Sequence, residues 1–362
     1  MTARQAVILG ASGIVGRALA EHLGARDGWR VVGVSRRDPG LACNMRFLPV
    51  DLTDRAACES ALSKLPDTTH VFYAAFVQRE RPAEEIAPNL AMLRHAVEVL
   101  DAHCPRLAHV QLTQGSKWYG NHLGPYRTPA REDQPRHPFP HFYFDQQEWL
   151  ARFQQGRPWT WSAVRPHGIW GFAVGGQINM MLAIALYATV LRHMGLPLYY
   201  PGKPGAFDAL YQCTEASYLA RGMVWAATEA GLSNEAVNFT NGDFIRWRDA
   251  WPLVAQWFGM PAAGVLTFDL GEFMRDKEPM WAEIRRQHGL QEFRMDQLTQ
   301  WGTASSNLFN ADWDQASSMT KARNLGWTGV NDTFGMIPRQ LDLLARRRII
   351  PDYGGAAGRA AP

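Results

Sequence analysis

One stretch, QAVILGASGIVGRALAEHLG (residues 5–24), constrains the fold most. An apolar run ends in glycine, and an amphipathic segment follows that closes at Gly24, a good helix stop. Gly10, Gly13 and Gly16 therefore lie in a turn between a strand and a helix. Glycine at these points permits a tight turn. It also lets backbone N–H groups approach a pyrophosphate at the helix N-terminus. The GxxGxxG spacing is weak by itself and gains its force from the strand–turn–helix context. Ser12, Ile14 and Val15 complete the loop that would face such a ligand.

The pattern repeats downstream. WRVVGVSR (29–36), MRFLPVDLT (45–53), HVFYAAF (70–76), LAHVQLTQ (107–114) and TWSAVRP (160–166) read as strands. Helical segments near 54–64, 84–103 and from Tyr143 onward separate them. Such alternation predicts an α/β fold, a Rossmann-type doubly wound parallel sheet with crossover helices. The alternation lapses after Pro166. GIWGFAVGGQ (168–177) reads as a loop, 178–195 as a long helix and 196–209 as turn-rich. EAVNFTNGD (235–243) reads as a strand returning to the first sheet, and 247–345 as mostly helical. The expected division is a dinucleotide-binding domain over 1–166 with that returning strand, and an interleaved, smaller, mostly helical substrate lobe over 167–350. Residues 351–362 are expected to form a disordered tail, since GGAAGRAAP (354–362) lacks apolar content.

The end of the second strand bears on the choice of cofactor. An acidic residue there would bind a free ribose 2′-hydroxyl. This chain has Ser35, Arg36 and Arg37, and arginine pairs well with phosphate, so the expected ligand carries a 2′-phosphate, as NADP(H) does. Asp38 is the residue that would reverse this reading. Asp51 and Leu52, at the end of the third strand, would lie beside the adenine.

The segment HFYFDQQEWL (141–150) poses a problem. Folds of this kind often carry Tyr-x-x-x-Lys, with both side chains on one helix face. Here Tyr143 has the helical context but position 147 is Gln. The loop QGSKWYG (114–120) follows the fifth strand, at the sheet edge where ligands bind in open parallel sheets. Its Lys117 can reach the same site from another direction, although a loop lysine is commonly just solvated.

Composition excludes several functions. The net charge is +3 with dispersed basic residues, which gives no electrostatic case for nucleic acid. The longest apolar run, INMMLAIALYATVL (178–191), is too short to span a bilayer, and the first residues run straight into a strand without a signal-peptide pattern. The four cysteines are scattered without CxxC, and HExxH and GxSxG are absent. A cytoplasmic protein with no metal, no membrane partner and no nucleic-acid partner is expected.

The blocks TQGSKWYG, HFYFDQQE, THVFYAAF (69–76), RPHGIWGF (165–172), AVNFTNGDFIRWRDAWPLVAQWFG (236–259), SMTKARNLGWTG (318–329) and RRRIIP (346–351) occur in the order found in one family. The chain resembles the progesterone 5β-reductase/iridoid synthase family, an atypical branch of the extended short-chain dehydrogenases/reductases, over nearly its whole length. That family has a lysine in a TGxKHYxG-like loop, a tyrosine in an NFYYxxED-like segment, and no standard Tyr-x-x-x-Lys. Here His141 replaces an Asn, Phe144 the second Tyr and Trp118 a His. Phe144 leaves Tyr143 as the one phenol at that site, while Trp118 changes the expected pocket shape.

The resemblance implies NADPH-dependent conjugate reduction of an enone or enal. Tyr143 would donate to the developing enolate oxygen, and Lys117 would add positive charge and help hold the cofactor or the tyrosine. It further implies cofactor contacts from Ala74, Ala75, Gln114, Tyr143, Pro166 and Ile169, and a homodimer. Trp118, Met181 and Trp327 are candidate pocket walls, with packed core the commoner fate of any one such side chain. His167 reads as a loop histidine, since enone reduction needs no base. Two other functions fit the scaffold. A carbonyl reductase or sugar-nucleotide epimerase/dehydratase would want the lysine that position 147 lacks, and a non-catalytic NADP-binding sensor would turn nothing over.

Overall fold

The computed structural model describes residues 4–175, 179–304 and 309–353. Its centre is a seven-stranded parallel sheet. Six strands come from the first half of the chain: β1 (Arg4–Leu9), β2 (Trp29–Ser35), β3 (Arg46–Pro49), β4 (His70–Tyr73), β5 (His109–Thr113) and β6 (Thr160–Arg165). The seventh is Glu235–Asn238, and the spatial order is Glu235–Asn238, β6, β5, β4, β1, β2, β3. Helices α1 (Ile14–Gly24), α2 (Arg55–Leu62), α3 (Ile86–His103) and α4 (Phe142–Gln154) alternate with these strands.

Cover on both faces explains why the central strands are continuous apolar runs. Ala6, Val7, Ile8 and Leu9 are all fully buried, as are Val71 and Phe72. α1 buries Gly16, Leu19, Ala20 and Leu23, a 3–4 spacing that lays one stripe on the sheet. α2 starts at Asp54, whose side chain accepts from Ala57 N–H, and α4 starts at His141, whose ring accepts from Tyr143 N–H. The sheet order reverses between β1 and β4, so their carboxyl ends, Gly10 and Ala74, flank the crevice where such sheets bind ligands.

The later residues build an aromatic core around helix α5 (Met180–His193), which is buried on all sides from Met180 to Leu191. Trp170, Trp247, Trp251 and Trp281 belong to this core.

Local details differ from the sequence reading. The strand expected over 45–53 stops at Pro49, because the Asp51 carboxylate accepts from Thr53 N–H and Oγ1–H and turns the chain. The expected loop 168–177 contains a short strand, Ile169–Trp170, paired with Thr214–Glu215. The turn-rich 196–209 contains another, Leu198–Tyr200, paired with Ala262–Val265. Two or three residues are too few for a period to show. The expected tail begins too early: Pro351 is buried, and Arg192 sits 3.9 Å from the Tyr353 ring centroid. The segment 354–362 lies outside the described residues. Among the described residues no helix is long and apolar enough to cross a membrane.

Candidate active site

A cavity of about 1030 Å³ runs along the carboxyl edge of the sheet. Its floor is the glycine loop. Gly10 has φ +95°, and a Cβ there would stand 2.7 Å from the Ala74 carbonyl carbon and oxygen and from Ala75 N. A Cβ on Gly16 would collide with Gly10 O and lie 2.8 Å from Ala11 Cα. Gly13 caps α1 without any side-chain hydrogen bond, so the helix N-terminus stays available to an anion. This is a cradle that any side chain would fill, and its donors suit a pyrophosphate.

Four arginines, Arg17, Arg36, Arg37 and Arg347, stand in the cavity wall together with Glu21, Asp38 and Asp51, and Arg347 pairs with Glu21 at 3.3 Å. Arg36 and Arg37 are exposed, while the Asp38 carboxylate accepts from Gly40 N–H at 2.8 Å. Arg17 donates to Pro39 O, and its buried Nε has no partner among the described residues. Burial, then the neighbouring Arg347, holds the Arg17 guanidinium below its usual basicity. Asp51 and Leu52 also line the wall.

At the other end lie Ser116, Lys117, Asn121, His122, His167, Ile169, Met180 and Tyr211. Burial lowers the Lys117 ammonium pKa, and the nearby Glu85 carboxylate opposes that shift. Tyr143 stands just behind this wall, where a Cβ on Gly115 would lie 3.5 Å from its hydroxyl. Its N–H donates to His141 and its carbonyl accepts from Gln114 Nε2 at 3.2 Å, yet no hydrogen bond among the described residues uses its hydroxyl. Burial, reinforced by Glu85, raises the Tyr143 pKa well above the ordinary phenol value, so the phenol stays protonated and able to donate. No hydrogen bond joins Lys117 to Tyr143 among the described residues; it is Gly115, two residues before Lys117, that lies against the Tyr143 ring. Gln147 is engaged elsewhere, its Oε1 accepting from Arg165 Nη2 at 3.1 Å.

Of the residues expected at the site, Gly10, Ser12, Gly13, Ile14, Val15, Ser35, Arg36, Arg37, Asp51, Leu52, Ala74, Ala75, Lys117 and Ile169 line the cavity. Gly16 and Gln114 are buried behind it, and the Pro166 carbonyl accepts from Ser116 N–H. The three expected pocket walls are elsewhere. Met181 is fully buried in the α5 core, and its neighbour Met180 faces the cavity instead. Trp327 bonds Tyr218 OH and packs on Tyr218, Trp225 and Phe239. Trp118 stacks 3.7 Å from the Arg165 guanidinium. Each is an aromatic or thioether side chain drawn into packing, its commonest fate.

His167 is more than a loop residue. It is buried, lines the cavity and shares a 2.5 Å hydrogen bond with Ser116 Oγ through Nδ1. Burial pushes its pKa down to about 4, so the ring is neutral near pH 7. Tyr211, drawn in from residue 211 by the short strand beside Ile245, was likewise outside any local motif. Among the described residues no group of histidine, cysteine or acidic side chains is arranged to hold a metal, and the four cysteines are free.

Comparison with known proteins identifies the family. The PRISE-like Rossmann-fold domain family matches residues 52–351. An (S)-8-oxocitronellyl enol synthase of Nepeta racemosa is 31% identical over 366 residues, spanning 96% of this chain and 93% of that protein. The 3-oxo-Δ(4,5)-steroid 5β-reductase of Arabidopsis thaliana shows the same identity and coverage, 31% over 366 residues. Among solved structures, a UDP-glucose 4-epimerase of Thermotoga maritima superposes with a TM-score of 0.68 at 14% identity, covering 94% of this chain and 99% of the other, which speaks to fold alone. The chain thus belongs to the PRISE-like Rossmann-fold family, the progesterone 5β-reductase and iridoid synthase branch of the short-chain dehydrogenases/reductases, and is an oxidoreductase.

Proposed function

We propose that this protein reduces the activated C=C bond of an enone or enal by conjugate hydride addition, with NADPH as donor. The carrying observation is the donor end of the cavity. A protonated tyrosine with a free hydroxyl adjoins Gly115, a lysine two residues on lines the wall, and position 147 holds no lysine. The names of the two relatives above support the same chemistry. When bound, the cofactor supplies the hydride.

The residues then have distinct tasks. The glycine loop and α1 N-terminus hold the pyrophosphate, and Arg36 and Arg37 take the 2′-phosphate while Asp38 is occupied by Gly40. Hydride supplied to the β-carbon would push the C=C electron pair toward the carbonyl and leave negative charge on its oxygen, the position these residues would meet. Tyr143 O–H donates to that oxygen, and Lys117 adds positive charge in a dry site where each is worth most. Uptake of one proton from solvent at the α-carbon would complete the two-electron reduction.

An NADPH-oxidation screen over enones and enals, with product identification, tests this. A saturated aldehyde or ketone is expected. An allylic alcohol from carbonyl reduction would overturn the reading, as would NADPH binding without turnover across the panel.

A further inference from the structure

We propose that Arg165 is a positioning residue that locks the loop carrying Lys117 to the helix carrying Tyr143, and that Gln147 is its docking point on that helix. The proposal rests on Tyr143 and Lys117 as the residues at the reacting end.

Arg165 ends β6 and is 2% exposed. Its guanidinium reaches three separate segments. Nε donates to Gln114 Oε1 at 3.0 Å, at the end of β5. Nη1 donates to Tyr119 OH at 3.1 Å, and Trp118 stacks on the guanidinium with its ring centroid 3.7 Å away; both residues directly follow Lys117. Nη2 donates to Gln147 Oε1 at 3.1 Å, one turn beyond Tyr143 on α4. Two of these arms are relayed. Gln114 Nε2 donates to the Tyr143 carbonyl at 3.2 Å, and Tyr119 OH donates to Asn238 Oδ1 at 2.7 Å, on the returning edge strand. One side chain therefore touches the elements on both sides of the proposed donor pair.

No carboxylate pairs with Arg165 within salt-bridge distance among the described residues, although the Glu132 charge farther off favours the guanidinium; its hydrogen-bond acceptors are two amides and a phenol. A cation buried in this way is costly unless every acceptor is in place. The network therefore holds as a unit, and displacing the loop or the helix leaves a buried charge short of a partner. The planar, forked guanidinium is suited to this, because a lysine could not reach three acceptors and stack at once. The arrangement also accounts for Gln147. A lysine at 147 would bring an ammonium up to a guanidinium that now sits 3.1 Å from the Gln147 oxygen. The amide oxygen attracts where that lysine would repel.

The test combines turnover with a readout that needs none. Arg165→Met, Gln147→Glu, Gln147→Lys and the double variant R165M/Q147K are compared with the parent protein. Kinetics use NADPH and a turned-over enone; hydrogen exchange is followed over peptides 114–120 and 142–147. Arg165→Met should lower kcat by about 100-fold, with a far smaller change in KM for NADPH, since ångström-scale misplacement acts on the reacting geometry. Exchange in both peptides should rise together. Gln147→Glu, which keeps an acceptor, should lose less than Gln147→Lys by about fivefold or more, and Arg165→Met should partly rescue Gln147→Lys by removing the repulsion. Should Arg165→Met fail to fold, the Gln147 pair decides, because that side chain is only half-buried. A kcat within about twofold of the parent in folded Arg165→Met, exchange rising evenly over the whole sheet, or equal losses in Gln147→Glu and Gln147→Lys would overturn the proposal. If the parent reduces no enone, the proposed function falls, and the exchange data alone then judge Arg165.

Discussion

Replacing Tyr143 with phenylalanine removes one oxygen from the candidate site. The hydroxyl makes no protein hydrogen bond among the described residues, so the deletion strands no partner. The aromatic ring keeps its packing on His141 and Phe142. The folded state should change little, by about 1 kcal/mol or less. On the proposed mechanism the transition state, by contrast, loses its donor to the developing enolate oxygen. Removing one such donor costs about 3–4 kcal/mol, or roughly 100- to 1000-fold in kcat. The phosphate cradle and the arginines are untouched, so NADPH affinity should stay within about threefold. The comparison variant Lys117→Met behaves differently. It removes a charge from the cavity wall itself, so kcat should fall by about tenfold or more, and cofactor binding should weaken with it. The two variants also separate by pH. Tyr143 is held above its ordinary value and stays protonated, whereas burial holds Lys117 below 10.5. An alkaline loss of kcat should thus set in below the ordinary lysine range in the parent and vanish in Lys117→Met. Single-turnover NADPH oxidation, a cofactor fluorescence titration and a pH series read all of this. Tyr143→Phe turning over within about threefold of the parent would refute Tyr143 as the oxyanion donor.

Three further outcomes follow from the geometry. Arg36→Ala with Arg37→Ala should weaken NADPH by about 1–3 kcal/mol, by loss of charge-assisted bonds, and leave NADH nearly unaffected; parallel titrations of the two cofactors check this. Gly10→Ala forces a Cβ into a backbone contact at 2.7 Å with φ at +95°. Urea unfolding should show a loss of about 2–4 kcal/mol, and cofactor binding should drop with it. Finally, the buried rings of His70, His109, His141 and His167 are pushed down to about 4, 3, 3 and 4 by burial. The unfolded chain, with ordinary values near 6.5, binds more protons than the native one below that pH. Stability is therefore fully present above about pH 6.5 and is lost as the pH falls toward 4, at up to about 1.4 kcal/mol per pH unit for each ring. Urea midpoints that do not fall between pH 7 and 5 would contradict this.

The alternation of apolar runs with helical stretches and the glycine loop were enough to predict the parallel sheet and its ligand edge. Both are written in local periods and in a turn that no other residue can make. Arg36, Arg37 and Lys117 were legible for the same reason: each follows the end of a strand, and strand ends define the crevice. Tyr143 was legible as a phenol one helical turn from a missing lysine, yet why Gln147 stands there was not. That answer needs Arg165, 18 residues from Gln147, and through it Gln114, 51 residues from Arg165, partners that only the pairing of β5 with β6 and the docking of α4 bring together. The choice between core and cavity wall depends on the same thing. Met180 and Met181 are neighbours in sequence, and the rotation of α5 in its core exposes one to the cavity and buries the other. Ser116 and His167 likewise meet across 51 residues. Sequence determined which backbone paths are possible, because sterics and hydrogen bonding act over a few residues. The tertiary structure decided which side chains share a buried charge and which face the ligand, because desolvation and packing act between segments that sequence keeps far apart.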